Sequence, residues 1–228
     1  MYPPAMIRPD ELIAAVDAGD TEAVTRLLTA DPSLATSRGK DGVSALLHAR
    51  YRPSTAVLDA ILAADPEMDI FDAAAIGRLD RLRRRLDEDP DRATAFAADG
   101  FTALHLAAFF GQEVAVRTLL EAGASVSVYG RNGFANQPLH AAAAGRHVGV
   151  CRLLLAAGAS VNATQHGGYA PLHEAAGSGD VELAELFLSA GANALATTET
   201  GALPAAVAAA AGHHHLAARL RETAAERS

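Results

Sequence analysis

Nine histidines and one cysteine are the side chains of this 228-residue chain best suited to catalysis or metal ligation. Three of them, His105, His140 and His173, each follow a leucine, at spacings of 35 and 33 residues. Another three stand in a row, His213-His214-His215, and invite a metal. Adjacent helical residues point about 100° apart, however, so this run does not converge as ligands at i and i+4 do. It reads instead as a polar cap on a terminal helix. Covalent catalysis needs a Ser, Cys or Thr in a special turn with a base and an acid in support, and no segment has that arrangement. Cys151, between Val150 and Arg152 in a segment of helical periodicity, reads as a small packing residue. No glycine-rich phosphate loop, HExxH or CxxC pattern occurs. The residues thus nominate no catalytic group, no metal and no cofactor.

Composition narrows the fold. Hydrophobic residues make up 50% of the chain and charged residues 20%, enough for a substantial core. Aromatics are only 5% and Trp is absent, so that core must come from alanine-rich helices that approach closely. The one cysteine can form no internal disulfide, and the start MYPPAMIRPDE lacks the pattern of a secretory signal. Both suggest a reducing, cytoplasmic setting. The apolar run 202–211 is interrupted by Pro204 and falls far short of the roughly twenty residues a membrane helix needs. A net charge of −8 opposes nucleic-acid binding, which depends on Lys and Arg against phosphate. The local run Arg78, Arg81, Arg83, Arg84 and Arg85 is matched by nearby acids, and a self-paired helix face is expected there.

The elements that position these residues are repeated. GFTALHLAAFFGQEVAVRTLLEAGASV, NQPLHAAAAGRHVGVCRLLLAAGASV and YAPLHEAAGSGDVELAELFLSAGANA align on Leu104, Leu139 and Leu172, and the register continues to Ala205. These segments resemble the ankyrin repeat, with 99–129 and 165–197 closest to its pattern. The first half carries a second duplication at a period of 58. Leu28, Asp31, Pro32, Asp41, Gly42 and Leu46 recur as Leu86, Asp89, Pro90, Asp99, Gly100 and Leu104. The equivalent helix starts are then Leu12, Leu46, Ile70, Leu104, Leu139, Leu172 and Ala205. One spacing, from Leu46 to Ile70, is only 24 residues and leaves no room for a projecting finger. A break in the stack is expected there.

The expectation is an all-α solenoid of about seven helix-turn-helix units in one domain over 1–228, the first three units degenerate. The approximate units are 10–40, 41–69, 70–98, 99–129, 130–164, 165–197 and 198–228. Small residues such as Ala107 and Ala108 let inner helices approach, and Gly111, Gly179 and Gly212 turn the chain back. Outer helices carry apolar sets such as Val114, Leu119 and Leu120, or Leu183, Leu186 and Phe187. Gly123, Gly158 and Gly191 stop them in the later units, whereas Asp31-Pro32, Asp65-Pro66 and Asp89-Pro90 do so in the earlier ones. A lone pair cannot bury its own face, so stability must come from stacking. Polar ends are therefore expected, from Asp10-Glu11 through Glu22 and from Arg219, Arg221, Glu222, Glu226 and Arg227. The resemblance also implies a structural role for His105, His140 and His173, bonded to the adjacent loop backbone.

What the resemblance implies for function is a concave surface made by variable positions on fingers and inner helices. Carried over, these are Phe101, Leu106, Phe109 and Phe110, then Asn136, Ala141 and Ala144, then Tyr169, Glu174, Gly177 and Ser178. A finger enlarged by two residues adds Tyr129, Arg131 and Phe134. Aromatic and arginine side chains are enriched in interface hot spots. Phe109 and Phe110 have two readings of equal weight, exposed contact or core filling, whereas Phe134 and Tyr169 are expected to be exposed. The function so implied is a non-enzymatic, monomeric, cytoplasmic interaction module, an adaptor or regulator that binds another protein. The alternative is an enzyme or a small-molecule or metal-binding protein with a polar cleft around His140, His147, His166 and Glu174. Its mark would be a deep pocket with converging titratable groups.

Overall fold

The structure, a computed structural model, describes residues 9–226, and Arg227 lies outside them. Fourteen α-helices occur among the described residues, and extended pairing is confined to two isolated bridges, Arg38 to Ser44 and Phe96 to Thr102. The helices follow one another in pairs: α1 (Pro9–Ala18) with α2 (Thr21–Ala30), α3 (Ala45–Arg50) with α4 (Thr55–Ala63), and α5 (Ile70–Ile76) with α6 (Leu79–Glu88). The series continues with α7 (Ala103–Phe109) and α8 (Glu113–Glu121), α9 (Pro138–Ala144) and α10 (Val148–Ala156), and α11 (Pro171–Ser178) and α12 (Val181–Ser189). It closes with α13 (Pro204–Ala210) and α14 (His214–Glu226). Odd-numbered helices stack in an inner row from α1 to α13. The chain is an all-α solenoid.

Alanine is what allows the inner row to close up. Ala74, Ala107, Ala142, Ala175 and Ala208 are fully buried, and one apolar core runs without interruption from Leu12 to Leu220. Side-chain caps set the helix starts: Asp20, Ser44, Asp69, Thr102 and Asp180 each accept the amide three residues on. Asp31 and Asp89 stop α2 and α6 and then cap short 3-10 turns led by Pro32 and Pro90. Val114 was expected in the apolar face of α8, yet it is 52% exposed; Ala115, Val116 and Leu119 fill that face.

Between most pairs a finger projects, closed at its base by one backbone bond. The amides of Gly39, Ala97, Gly130, Gln165 and Thr198 donate to the carbonyls of Val43, Phe101, Asn136, Tyr169 and Ala202. The Gly130 to Asn136 loop is two residues longer than the other four. The short joint, residues 64–69 between α4 and α5, has no finger. Here Arg81 reaches Asp65 (2.8 Å), while Arg84 and Arg85 share Glu67 (3.1 and 2.9 Å). The Arg85 Nε also donates to the Met68 carbonyl (2.9 Å). The arginine run expected to pair along its own helix therefore spends most of its charge on the joint, with Glu88 as its one partner at helical spacing among the described residues. Exposed pairs of this kind contribute roughly 0–1 kcal/mol each, so they fix geometry more than they add stability.

Candidate binding groove

Three buried histidines tie fingers to inner helices. In each, Nδ1 accepts the amide at the helix cap, from Thr102 (3.3 Å), Gln137 (3.3 Å) or Ala170 (3.1 Å). The opposite nitrogen then carries its proton and donates forward to the next finger: His105 to Asn136 O (3.0 Å), His140 to Ala163 O (3.0 Å), and His173 to Ala202 O (3.2 Å). Burial holds His105 and His140 down at about 4, and lowers His173 as well, so the neutral form persists. Both ring nitrogens are engaged.

The third pair breaks this pattern. Asp72, like these histidines the third residue after its helix cap although the repeat register aligns Phe71 with them, faces backward, its carboxylate bonded to the hydroxyl of Ser44, which caps α3. It is buried, and the Asp69 carboxylate stands beside it, paired in turn with Arg38 at 2.6 Å. Desolvation first, and Asp69 second, push Asp72 up to about 7.

Fingers also bond to fingers along the row. The Arg131 amide donates to Gly100 O (2.8 Å), that of His166 to Phe134 O (2.9 Å), and that of Glu199 to Gly167 O (2.9 Å). Where the short joint omits a finger, its two neighbours meet directly. A Cβ added at Gly42, at φ +78°, would lie 2.8 Å from the Ala98 Cβ.

Under these fingers lies an apolar cavity of about 370 Å³. Tyr51, Phe101, Phe109 and Phe134 form its aromatic wall, Ala141 and Ala144 its floor on α9, and Asn136 and Glu174 its polar edge. Glu174 accepts from the Gln165 amide nitrogen (2.6 Å), and burial raises its carboxyl above the usual range. A second, more open cavity of about 590 Å³ adjoins the first and shares Tyr51, Phe101 and Phe134 with it. Three carboxylates, Asp17, Asp41 and Asp99, line this second space.

Of the ten residues proposed from sequence for partner contact, Phe101, Phe109, Phe134, Asn136 and Glu174 border the first cavity. Phe134 is 65% exposed and Tyr129 is 47% exposed; Tyr129 and Tyr169 lie on the surface away from the cavity wall, Tyr169 edge-on to His173. Arg131 lies with its guanidinium 3.9 Å above the Phe96 ring, and the Ser178 hydroxyl donates to Ala175 O (3.2 Å). Of the two readings of Phe110, core filling holds and partner contact does not: it is only 9% exposed and packs with Val43, Leu47, Ala75 and Leu106 in a small second core, where the short Ala75 leaves room for a ring. Leu106, expected at a variable surface position, is buried in the same cluster.

Sequence reasoning missed Tyr51. Its ring centroid lies 6.0 Å from that of Phe109 and 5.2 Å from that of Phe110, and its hydroxyl donates to Asp99 (3.4 Å). The 58-residue duplication held the signal, because it aligns Tyr51 with Phe109.

The polar cleft of the alternative reading does not assemble. His140 and Glu174 border the first cavity, but His147 packs against the turn at Gly111, and His166 lies exposed on a finger. His213 packs on the Gly179 turn, while His214 and His215 are exposed on α14. Cys151 is buried, and desolvation pushes its thiol up to about 12. No helix among the described residues is long and apolar enough to cross a membrane.

A family model described as ankyrin repeats, in three copies, matches residues 12–129, 70–165 and 127–198. The chain is also 34% identical over 119 residues to the Neurogenic locus notch homolog protein 4 of Homo sapiens. That match covers 52% of this chain and only 5% of the relative's length.

Proposed function

Because the chain belongs to the ankyrin-repeat family, whose repeats are generally protein–protein interaction modules, we propose that it binds a partner protein in the groove walled by Tyr51, Phe101, Phe109 and Phe134. The carrying observation is the exposed Phe134 ring at the lip of an apolar cavity. Aromatic anchors that seat in pockets dominate interface energies. The role is that of an adaptor or regulator without catalysis, since the histidines at the cavity have both nitrogens bonded to backbone. Net charge of −8 disfavours nucleic acid, and a lone buried thiol suits the reducing cytoplasm.

The test is photo-crosslinking in the source cell. A photoreactive phenylalanine analogue at Phe134 should give one discrete protein adduct, reduced by Phe109→Ala. The same analogue at Val114, on outer helix α8, should not. An adduct common to both positions, or none at Phe134, overturns the placement.

A second reading is a small apolar ligand, favoured by a cavity volume inside the roughly 300–1,000 Å³ range of ligand sites. Native mass spectrometry of the purified protein would show it as a retained small-molecule mass, absent from a Phe109→Ala preparation.

A further inference from the structure

The omitted finger leaves a local charge imbalance beside the aromatic wall. Asp41 and Asp99 hold equivalent places in the 58-residue duplication and would be two fingers apart in an unbroken stack. With no finger from residues 64–69, their loops touch at Gly42 and Ala98, and the two carboxylates feel one another's charge. The nearest arginine is engaged elsewhere, and only a histidine reaches Asp41. Arg52 pairs with Asp17 (3.1 Å), and His48 bridges Asp17 and Asp41 (3.0 and 3.3 Å). Asp99 is half-buried and accepts from the Tyr51 hydroxyl and the Phe101 amide, and burial raises it above the usual carboxylate range. Among the described residues, no Lys or Arg stands within ion-pair distance of Asp41 or Asp99.

We infer that the groove takes an extended segment of a partner protein carrying a bulky apolar side chain next to an arginine or lysine. This rests on the proposed protein-binding reading and names the chemistry of the partner. The apolar side chain enters the cavity between Phe101, Phe109 and Ala141. The cation crosses the shared edge of Tyr51 and Phe134 and lies between Asp41 and Asp99. Both features of that second space suit a cation: Asp41 and Asp99 carboxylates with no Lys or Arg at ion-pair distance, and ring faces whose quadrupoles attract positive charge.

The probe is a random twelve-residue peptide library displayed on phage, selected against the purified chain and three variants. Wild type should enrich peptides that pair a large apolar residue with a nearby Arg or Lys. The double variant Asp41→Asn with Asp99→Asn retains the side-chain oxygens that accept the Val43 and Phe101 amides (3.0 and 3.1 Å), so these turns persist. It should still enrich apolar peptides but lose the basic bias, and should bind the wild-type consensus peptide about tenfold more weakly. Phe134→Ala and Phe109→Ala should both abolish enrichment of that consensus, with helical circular dichroism unchanged for Phe134→Ala. Peptides that depend on Phe134 but are neutral or acidic overturn the inference and leave the groove standing. Peptides indifferent to Phe134 and Phe109, or no enrichment at all, overturn the groove reading itself.

Discussion

Gly42 and Ala98, 56 residues apart, lie side by side at the tips of two fingers that an unbroken stack would separate. Their meeting replaces the missing finger with a direct loop-to-loop contact. It depends on glycine twice, for space and for φ of +78°. Gly42→Ala should therefore destabilise the chain by more than about 1–2 kcal/mol, the cost of the backbone alone. Gly123, at φ +89° with no atom near its would-be Cβ, isolates that backbone cost. Equal losses for Gly42→Ala and Gly123→Ala in urea melts would refute the contact.

Phe110 and Phe134 should part company on truncation. Phe110→Ala removes a ring buried against Leu47 and Leu106 and should lower stability by about 3 kcal/mol. Phe134→Ala strips an exposed ring and should change it by no more than about 0.5 kcal/mol. Thermal unfolding of the two variants decides the matter, and similar losses would place both in the core.

Stability should peak near neutral pH. His105 and His140 titrate near 4 in the folded chain against about 6.5 unfolded, so the unfolded state binds more protons between those values. Their contribution is complete above pH 6.5 and is lost as pH falls towards 4. Asp72 has the opposite sign: its pKa is raised to about 7, so its contribution is complete below the unfolded value and is lost as pH rises through 7. Between pH 4 and 6.5 these two histidines outweigh Asp72, and the three groups together contribute a slope of about 1.4 kcal/mol per pH unit. Asp72→Asn should remove the small decline between about pH 6.5 and 7, where the histidines no longer contribute, and should steepen the rise below pH 6.5. A denaturation series from pH 5 to 8 reads both, and an unchanged profile in the variant would be decisive against the assignment.

Arg146 occupies a left-handed turn, φ +60°, at the place where Gly111 and Gly179 sit in neighbouring units. Its own unit's glycine is one residue earlier, at Gly145, where any Cβ would strike the Phe109 carbonyl. Arg146→Gly should relieve the backbone and forfeit only an exposed pair with Asp180 (3.2 Å), for a net gain of about 0.5–1 kcal/mol. Arg146→Val should lose stability. A lower melting temperature for the glycine variant would contradict this account.

Periodicity made most of the architecture legible before any coordinates. Recurring Leu-His pairs, glycines that turn or stop helices and Asp-Pro stops are local signals, since each acts within one helix pair. The same locality allowed the 24-residue spacing to mark the joint that lacks a finger, although the apolar core crosses it without the expected break. Five residues nominated for partner contact, Phe101, Phe109, Phe134, Asn136 and Glu174, border the cavity.

What the tertiary structure alone decided lies between units. The small second core that takes Phe110 and Leu106 depends on how Ala75 of one pair faces α7 of the next, and a repeat pattern is blind to such cross-unit volume. The backward bond from Asp72 to Ser44, the union of Tyr51 with Phe109, and the approach of Asp41 to Asp99 all arise across the joint that lacks a finger. A fixed period implies contacts between successive units at constant offsets. Where the period fails, only the three-dimensional stacking determines which side chains become neighbours.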